Sequence, residues 1–218
     1  MDTRTLGSTG LDVTEVGLGT WNVGPVWTDA SDETCRESIR AALDAGVTLI
    51  DTAEVYGDGR AERLIGEVLD EYDRRVYVPT KAKPDADERH SEAGLRESVA
   101  GSSDRLGVDS LDLLQLHCPE TAAFYEPETF ASVPIEDGLA AVADMRRLVP
   151  EGATMAQFTL RWILDHDAVS TVIPGSTSPE HFRENAAAAD LPPLSHETHG
   201  AVRDVYEEHV KASVHHRW

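Results

Sequence analysis

Val47-Thr48-Leu49-Ile50-Asp51-Thr52-Ala53-Glu54-Val55-Tyr56-Gly57 is the stretch from which the fold can be read. A short apolar, β-branched run ends on a carboxylate, and a tyrosine follows in a loop that closes on glycine. The pattern predicts a buried strand that delivers two polar side chains to its C-terminal edge. In parallel α/β folds, chemistry collects at that edge.

Working outward, the same unit recurs on both sides. Upstream, Thr5-Leu6-Gly7-Ser8-Thr9-Gly10-Leu11-Asp12-Val13 predicts a hairpin about a Ser-Thr-Gly turn, and Val16-Gly17-Leu18-Gly19-Thr20-Trp21 predicts a strand whose glycines let backbone or ligand approach. Ser31 caps a helix that carries Ile39, Ala42 and Leu43 on one face and stops at Ala45-Gly46. Downstream, a helix over 61–69 leads to a strand at Val76-Tyr77-Val78-Pro79-Thr80-Lys81. A second helix, over 91–106, leads to a strand at Leu111-Asp112-Leu113-Leu114-Gln115-Leu116-His117. Strand and helix alternate roughly every 30–35 residues, as in a (β/α) barrel or an open parallel sheet.

Between Cys118 and Pro150 no further strand-like run occurs; Phe124, Tyr125, Phe130 and Val133 stand isolated among Pro, Glu and Thr. Two helices follow, one over 137–148 and one opened by the capping box Thr154-Met155-Ala156-Gln157 and running to about His166. Val169-Ser170-Thr171-Val172-Ile173-Pro174-Gly175 predicts a fifth strand. Ser178-Pro179-Glu180 then combines an N-cap, a proline at the first helical position and an acidic first turn. A terminal helix spans 196–210.

Composition narrows the partners. The chain has 218 residues, enough for a full core, and reads as a single domain over 1–218. Forty Asp and Glu against 19 Lys and Arg give a formal charge of −21, a field that repels nucleic acid and anionic membrane. The only lysines are Lys81, Lys83 and Lys211. An acidic, lysine-poor surface is that of a halophilic protein, soluble in concentrated salt; an acidic mesophilic protein is the competing reading. Cys35 and Cys118 are too few for a disulfide framework. Met1-Asp2-Thr3-Arg4-Thr5 does not open a leader pattern, and no apolar run reaches the roughly 18 residues of a membrane span, so a cytoplasmic location is expected.

If successive strands are neighbours, Asp51, Tyr56, Lys81 and His117 converge above one sheet edge. Tyrosine is a weak acid, with a reference pKa of about 10. An adjacent ammonium stabilises its phenolate, a carboxylate beyond the lysine holds that ammonium, and a histidine can orient the oxygen that receives the proton. The set outlines a carbonyl-reduction site. Taken singly, Asp51 also reads as a turn or helix cap, Tyr56 and Lys81 as surface, and His117 as structural. Gly175-Ser176-Thr177-Ser178-Pro179 joins a strand to a helix N-terminus, where phosphate is attracted; no GxGxxG follows any strand, so a Rossmann mode is unsupported. Cys118 reads either as lining the site or as a buried small residue, Trp27 either as substrate wall or as loop packing. His215-His216 lacks a third ligand type, so no metal site is expected.

These segments resemble an aldo-keto reductase, in that family's order: 5–11, 17–21, 50–57, Thr80-Lys81, 113–117 and 173–185. The resemblance implies a fold of the TIM (β/α)8-barrel type. It also implies a cytoplasmic NADP(H)-linked oxidoreductase acting on a small aldehyde or ketone, with Asp51, Tyr56, Lys81 and His117 as its tetrad and Tyr56 as proton donor. By the same resemblance Asp51, Gly19, Thr20 and Trp21 face the nicotinamide end of the cofactor, and Gly175, Ser176, Thr177, His181, Glu184 and Asn185 hold its adenosine phosphate end. Members that select the 2′-phosphate carry Lys or Arg at positions matching Gly175, Thr177 or His181, so NAD(H) stands as an alternative. The resemblance also implies a gap of about a hundred residues near 130–133, which would take the fifth to seventh strands of the barrel and leave about five of eight. The expected sheet order is last strand, first, second, third, fourth, with open edges that invite self-association. The competing functions are an impaired or inactive remnant, and an accessory or interaction subunit.

Overall fold

The computed structural model describes residues 1–23, 30–85, 90–117 and 133–217. Trp27, Cys118, Phe124, Tyr125 and 130–132 lie outside the described residues.

The hairpin pairs β1 (Thr3–Thr5) with β2 (Asp12–Thr14) antiparallel. β3 (Leu18–Gly19) then runs parallel to β4 (Ile50–Asp51), and β5 (Pro79–Ala82) parallel to β6 (Leu113–Leu116). Hydrogen bonds join these pairs, since the Ile50 N–H donates to the Tyr77 carbonyl and the Thr52 N–H to the Pro79 carbonyl, each over 3.0 Å. On the other side of β3, the Gly17 and Gly19 N–H groups donate to the carbonyls of Val172 and Pro174. The parallel order is therefore the 172–175 segment, β3, β4, β5, β6, the order the resemblance implies.

The strands are shorter than predicted, β3 and β6 among them, and for two the reason is identifiable. The last is reduced to bridges at Val172 and Gly175, and Pro174 has no N–H to give a ladder. β5 starts at Pro79 rather than Val76; the Val78 N–H is taken by the Asp112 carboxylate at 3.0 Å.

Helices cover one face. α1 (Asp32–Asp44) is capped by Ser31, and α2 (Arg60–Leu69) starts from Gly59. α3 (Glu92–Leu106) is capped by Ser91 and closed by left-handed Gly107. α4 (Ile135–Met145) begins two residues before its predicted start. α5 (Met155–Leu164) opens with the predicted capping box, α6 (Pro179–Ala186) with the Ser178 cap, and α7 (His196–His209) with Ser195. The core joins Leu18 and Ile50 of the strands to Ile39 and Leu43 of α1, Leu64 and Ile65 of α2, and Phe182 of α6. Burying each such side chain contributes about 1.5–3 kcal/mol. A smaller cluster seats Leu164 of α5 against Val16 and Val172. Among the described residues no helix is long and apolar enough to cross a membrane.

Candidate active site

Ile50 packs with the helices, and Asp51, the next position, faces the opposite side of β4 by strand alternation. The chain then turns sharply. Gly57, Asp58 and Gly59 all take positive φ, at 64°, 52° and 76°, and the Gly59 N–H closes on the Glu54 carbonyl at 2.7 Å. Glycine accepts that conformation freely, and aspartate is among the few other residues that tolerate it. The turn holds Tyr56 over the sheet edge.

Lys81, on the adjoining β5, reaches the same place. Its Nζ lies 2.6 Å from Asp51 Oδ2, 2.8 Å from the Thr52 carbonyl and 3.2 Å from the Tyr56 hydroxyl. Lys81 and Asp51 are largely buried, so water screens this pair weakly. His117 follows β6, its N–H donating to the Ala82 carbonyl at 2.9 Å, and its ring meets that of Tyr56 edge-on. Burial, then the Lys81 ammonium, holds the His117 imidazole below its usual pKa, against the opposing pull of Asp51 and Glu54. The ring is thus neutral at pH 7, and its Nδ1 is buried without a partner among the described residues. All four predicted side chains come together, from three adjacent strands and one loop.

Gln115 joins them, its amide donating to Asp51 Oδ1 over a long 3.4 Å. Sequence reasoning gave it no role, although it lies two residues before His117 on the strand predicted over 111–117, which puts both on one face.

The residues expected to hold a cofactor divide in two. Gly19 and Gly175 pair across β3 and the 172–175 segment, which brings the two expected cofactor stretches side by side. Trp21 and Gly175 are exposed there. A Cβ on Gly175 would stand 2.5 Å from Asn22 Oδ1, an oxygen that is buried and unpartnered. A backbone kept free of a side chain beside an unused acceptor fits a nucleotide. On α6 His181 is exposed and Glu184 and Asn185 half-buried, and Thr177, just before the helix, is half-buried. Thr20 and Ser176 differ: Thr20 is buried and donates to the Asp51 carbonyl at 2.9 Å, and the Ser176 hydroxyl donates to the Ser178 carbonyl at 2.7 Å. Their side chains brace the site.

A parallel strand edge bearing a Tyr-Lys-Asp-His cluster defines a class, and the comparisons with known proteins name it. The profile of the Aldo/keto reductase family matches residues 15–148 and 135–207, in two overlapping stretches. The chain belongs to that family. Aldo-keto reductase YhdN of Bacillus subtilis is 38% identical over 128 residues, which cover 55% of this chain and 39% of that protein. The NADH-specific methylglyoxal reductase of Escherichia coli is 32% identical over 141 residues, covering 56% and 43%. The chain thus spans about two fifths of the length of these curated relatives. Among solved structures, an aldo-keto reductase from Bacillus halodurans in its holo form has a TM-score of 0.75 at 20% identity, covering 96% of this chain and 99% of that one. One from Klebsiella pneumoniae in complex with NADPH has a TM-score of 0.74 at 24% identity, covering 94% and 96%. These likenesses identify the fold as that of the aldo-keto reductases, an α/β fold of TIM-barrel type.

Proposed function

We propose that this chain is an oxidoreductase that reduces a small aldehyde or ketone to an alcohol with NADP(H), NAD(H) being the alternative donor. The observation that carries the reading is the single ammonium of Lys81 in contact with both Asp51 and the Tyr56 hydroxyl.

The bound nicotinamide would supply hydride to the carbonyl carbon. Tyr56 gives its hydroxyl proton to the carbonyl oxygen, and Lys81 stabilises the negative charge left on the phenolic oxygen. Asp51 and the Thr52 carbonyl fix the ammonium for that purpose. His117, neutral, donates an N–H to the same carbonyl oxygen and orients it. Gly19, Trp21 and Asp51 serve the nicotinamide end, with Thr20 bracing them. Gly175, Ser176, Thr177, His181, Glu184 and Asn185 serve the adenosine phosphate end. The presence of a relative named for NADH and a structure containing NADPH supports keeping both donors. The chain forms one shortened domain, 1–218, with its gap at 130–133, and works in a salt-rich cytoplasm.

A second reading, a scaffold that binds nucleotide without turnover or serves as an accessory subunit, draws on the sheet. Among the described residues β6 has one strand neighbour, and α4 exposes Ile135 and Leu139. Such edges favour self-association.

Titration of NADPH and NADH into the protein in concentrated KCl, followed by tryptophan fluorescence, tests the cofactor half. Saturable quenching by one nucleotide is expected, with Trp21 beside the site. A folded protein that binds neither contradicts the proposal.

A further inference from the structure

We infer that Arg105 is a positioning residue for Tyr56 and Lys81, acting on both through two buried carboxylates, Glu54 and Glu62. The inference rests on the reductase reading for its kinetic consequence, and on geometry alone for its structural one.

Glu62, on α2, is fully buried. One of its oxygens accepts from the Thr80 hydroxyl and the other from Arg105 Nε, each at 2.6 Å. Glu54 is nearly as buried and lies two residues before Tyr56. Its Oε1 accepts from the Lys83 N–H and the Ser98 hydroxyl, each at 2.6 Å, and its Oε2 lies 3.8 Å from Arg105 Nη2. The two carboxylates therefore grip the chain on either side of Lys81, at Thr80 within β5 and at Lys83 just after it. Glu54 at the same time belongs to the loop that carries Tyr56. A buried carboxylate is costly without a counter-charge, and the ion pairs of both run to Arg105.

The fold clears a path for this one side chain. A Cβ on Gly59 would fall 2.4 Å from Arg105 Cδ and 2.7 Å from its Nε, and one on Gly101 would fall 2.9 Å from Nη1. Gly59 is itself part of the turn that follows Tyr56. Arg105 also donates to the Ser102 hydroxyl at 3.3 Å, which fixes its fork relative to α3. A planar guanidinium can serve two carboxylates at once, which an ammonium on a flexible stem does less well. Glu54 and Arg105 line a separate polar cleft with Lys83, Asp85, Glu97 and Ser98, about 360 Å³ in volume. Among the described residues Arg105 bonds Glu62, Glu54 and Ser102, so its effect on Tyr56 and Lys81 is exerted through Glu54, Thr80 and Glu62.

The test compares Arg105→Met, which keeps the bulk and removes the charge, with Arg105→Lys, which keeps the charge and loses the fork. The readout is the ¹³Cζ resonance of Tyr56 in tyrosine-labelled free protein, assigned by its disappearance in Tyr56→Phe; it reports the charge beside the phenolic oxygen. Arg105→Met is expected to move it toward the position of a solvent-exposed tyrosine, and Arg105→Lys part of the way. In NADPH-dependent aldehyde reduction, kcat of Arg105→Met is expected to fall at least about tenfold with KM little changed. Phe158→Leu, a core substitution elsewhere, serves as a control for general loss of stability and is expected to leave the resonance in place. If Arg105→Met does not fold, Arg105→Lys carries the same test. An unmoved Tyr56 resonance in the folded Arg105 variant, whatever its melting temperature, overturns the inference. Because the resonance is read without cofactor, absence of turnover in the wild-type protein counts against the reductase reading and leaves this result to stand by itself.

Discussion

The imidazole of His117 meets the ring of Tyr56 edge-on, with centroids 5.8 Å apart and planes at 88°. The two come from different units, one from the end of β6 and one from the loop after β4. His117 is half-buried there, which gives the first prediction.

Burial and the Lys81 ammonium lower the His117 pKa in the folded protein. The unfolded chain therefore takes up the proton more readily. The contribution of His117 to stability is complete above its unfolded value of about 6.5 and is lost as pH falls from there through the lowered folded value. Urea unfolding between about pH 7.5 and 5 should show the wild type losing more stability than His117→Asn. Parallel curves would contradict this.

Gly59 and Gly152 both hold positive φ, at 76° and 85°, but only Gly59 faces an obstacle, Arg105 Cδ at 2.4 Å from a built Cβ. Gly152→Ala should cost about 1–2 kcal/mol, the backbone penalty alone. Gly59→Ala should cost clearly more in chemical denaturation, since it also displaces Arg105. Equal losses would show that the guanidinium yields freely.

How much of this was legible in the sequence depends on distance along the chain. Asp51, Lys81 and His117 each end an apolar run, so their place at one sheet edge followed from strand periodicity. Ser31, Ser91, Thr154 and Ser178 announced helix starts through side chains that bond the backbone three residues on. Glu54 and Arg105 left no such trace. They pair across separate βα units, where no local spacing along the chain marks them. The resemblance places Thr20 at the nicotinamide end; that its hydroxyl bonds the Asp51 carbonyl depends on the neighbouring strand and is not legible locally. Strand lengths were overestimated where Pro174 and Asp112 interfere with the ladder.

Ile135, Leu139 and Val142 are 82%, 66% and 43% exposed and fall on one stripe of α4 by their i, i+4, i+7 spacing. Light scattering with size-exclusion chromatography should show concentration-dependent association at high salt, where a charge of −21 is screened. The double variant Ile135→Glu/Leu139→Glu should return the protein to monomer. A monomeric wild type at all concentrations would remove the α4 stripe as an interface.

The most direct measurement of the central claim is aldehyde-dependent consumption of NADPH by the wild type and by Tyr56→Phe, both first shown to be folded in concentrated KCl. The geometry of Tyr56 and Lys81 predicts turnover by the wild type and a loss of at least about a hundredfold in the variant, with nucleotide binding retained. Equal rates in the two proteins, or no consumption by a wild type that binds NADPH, would contradict the assignment of Tyr56 as proton donor in an active reductase.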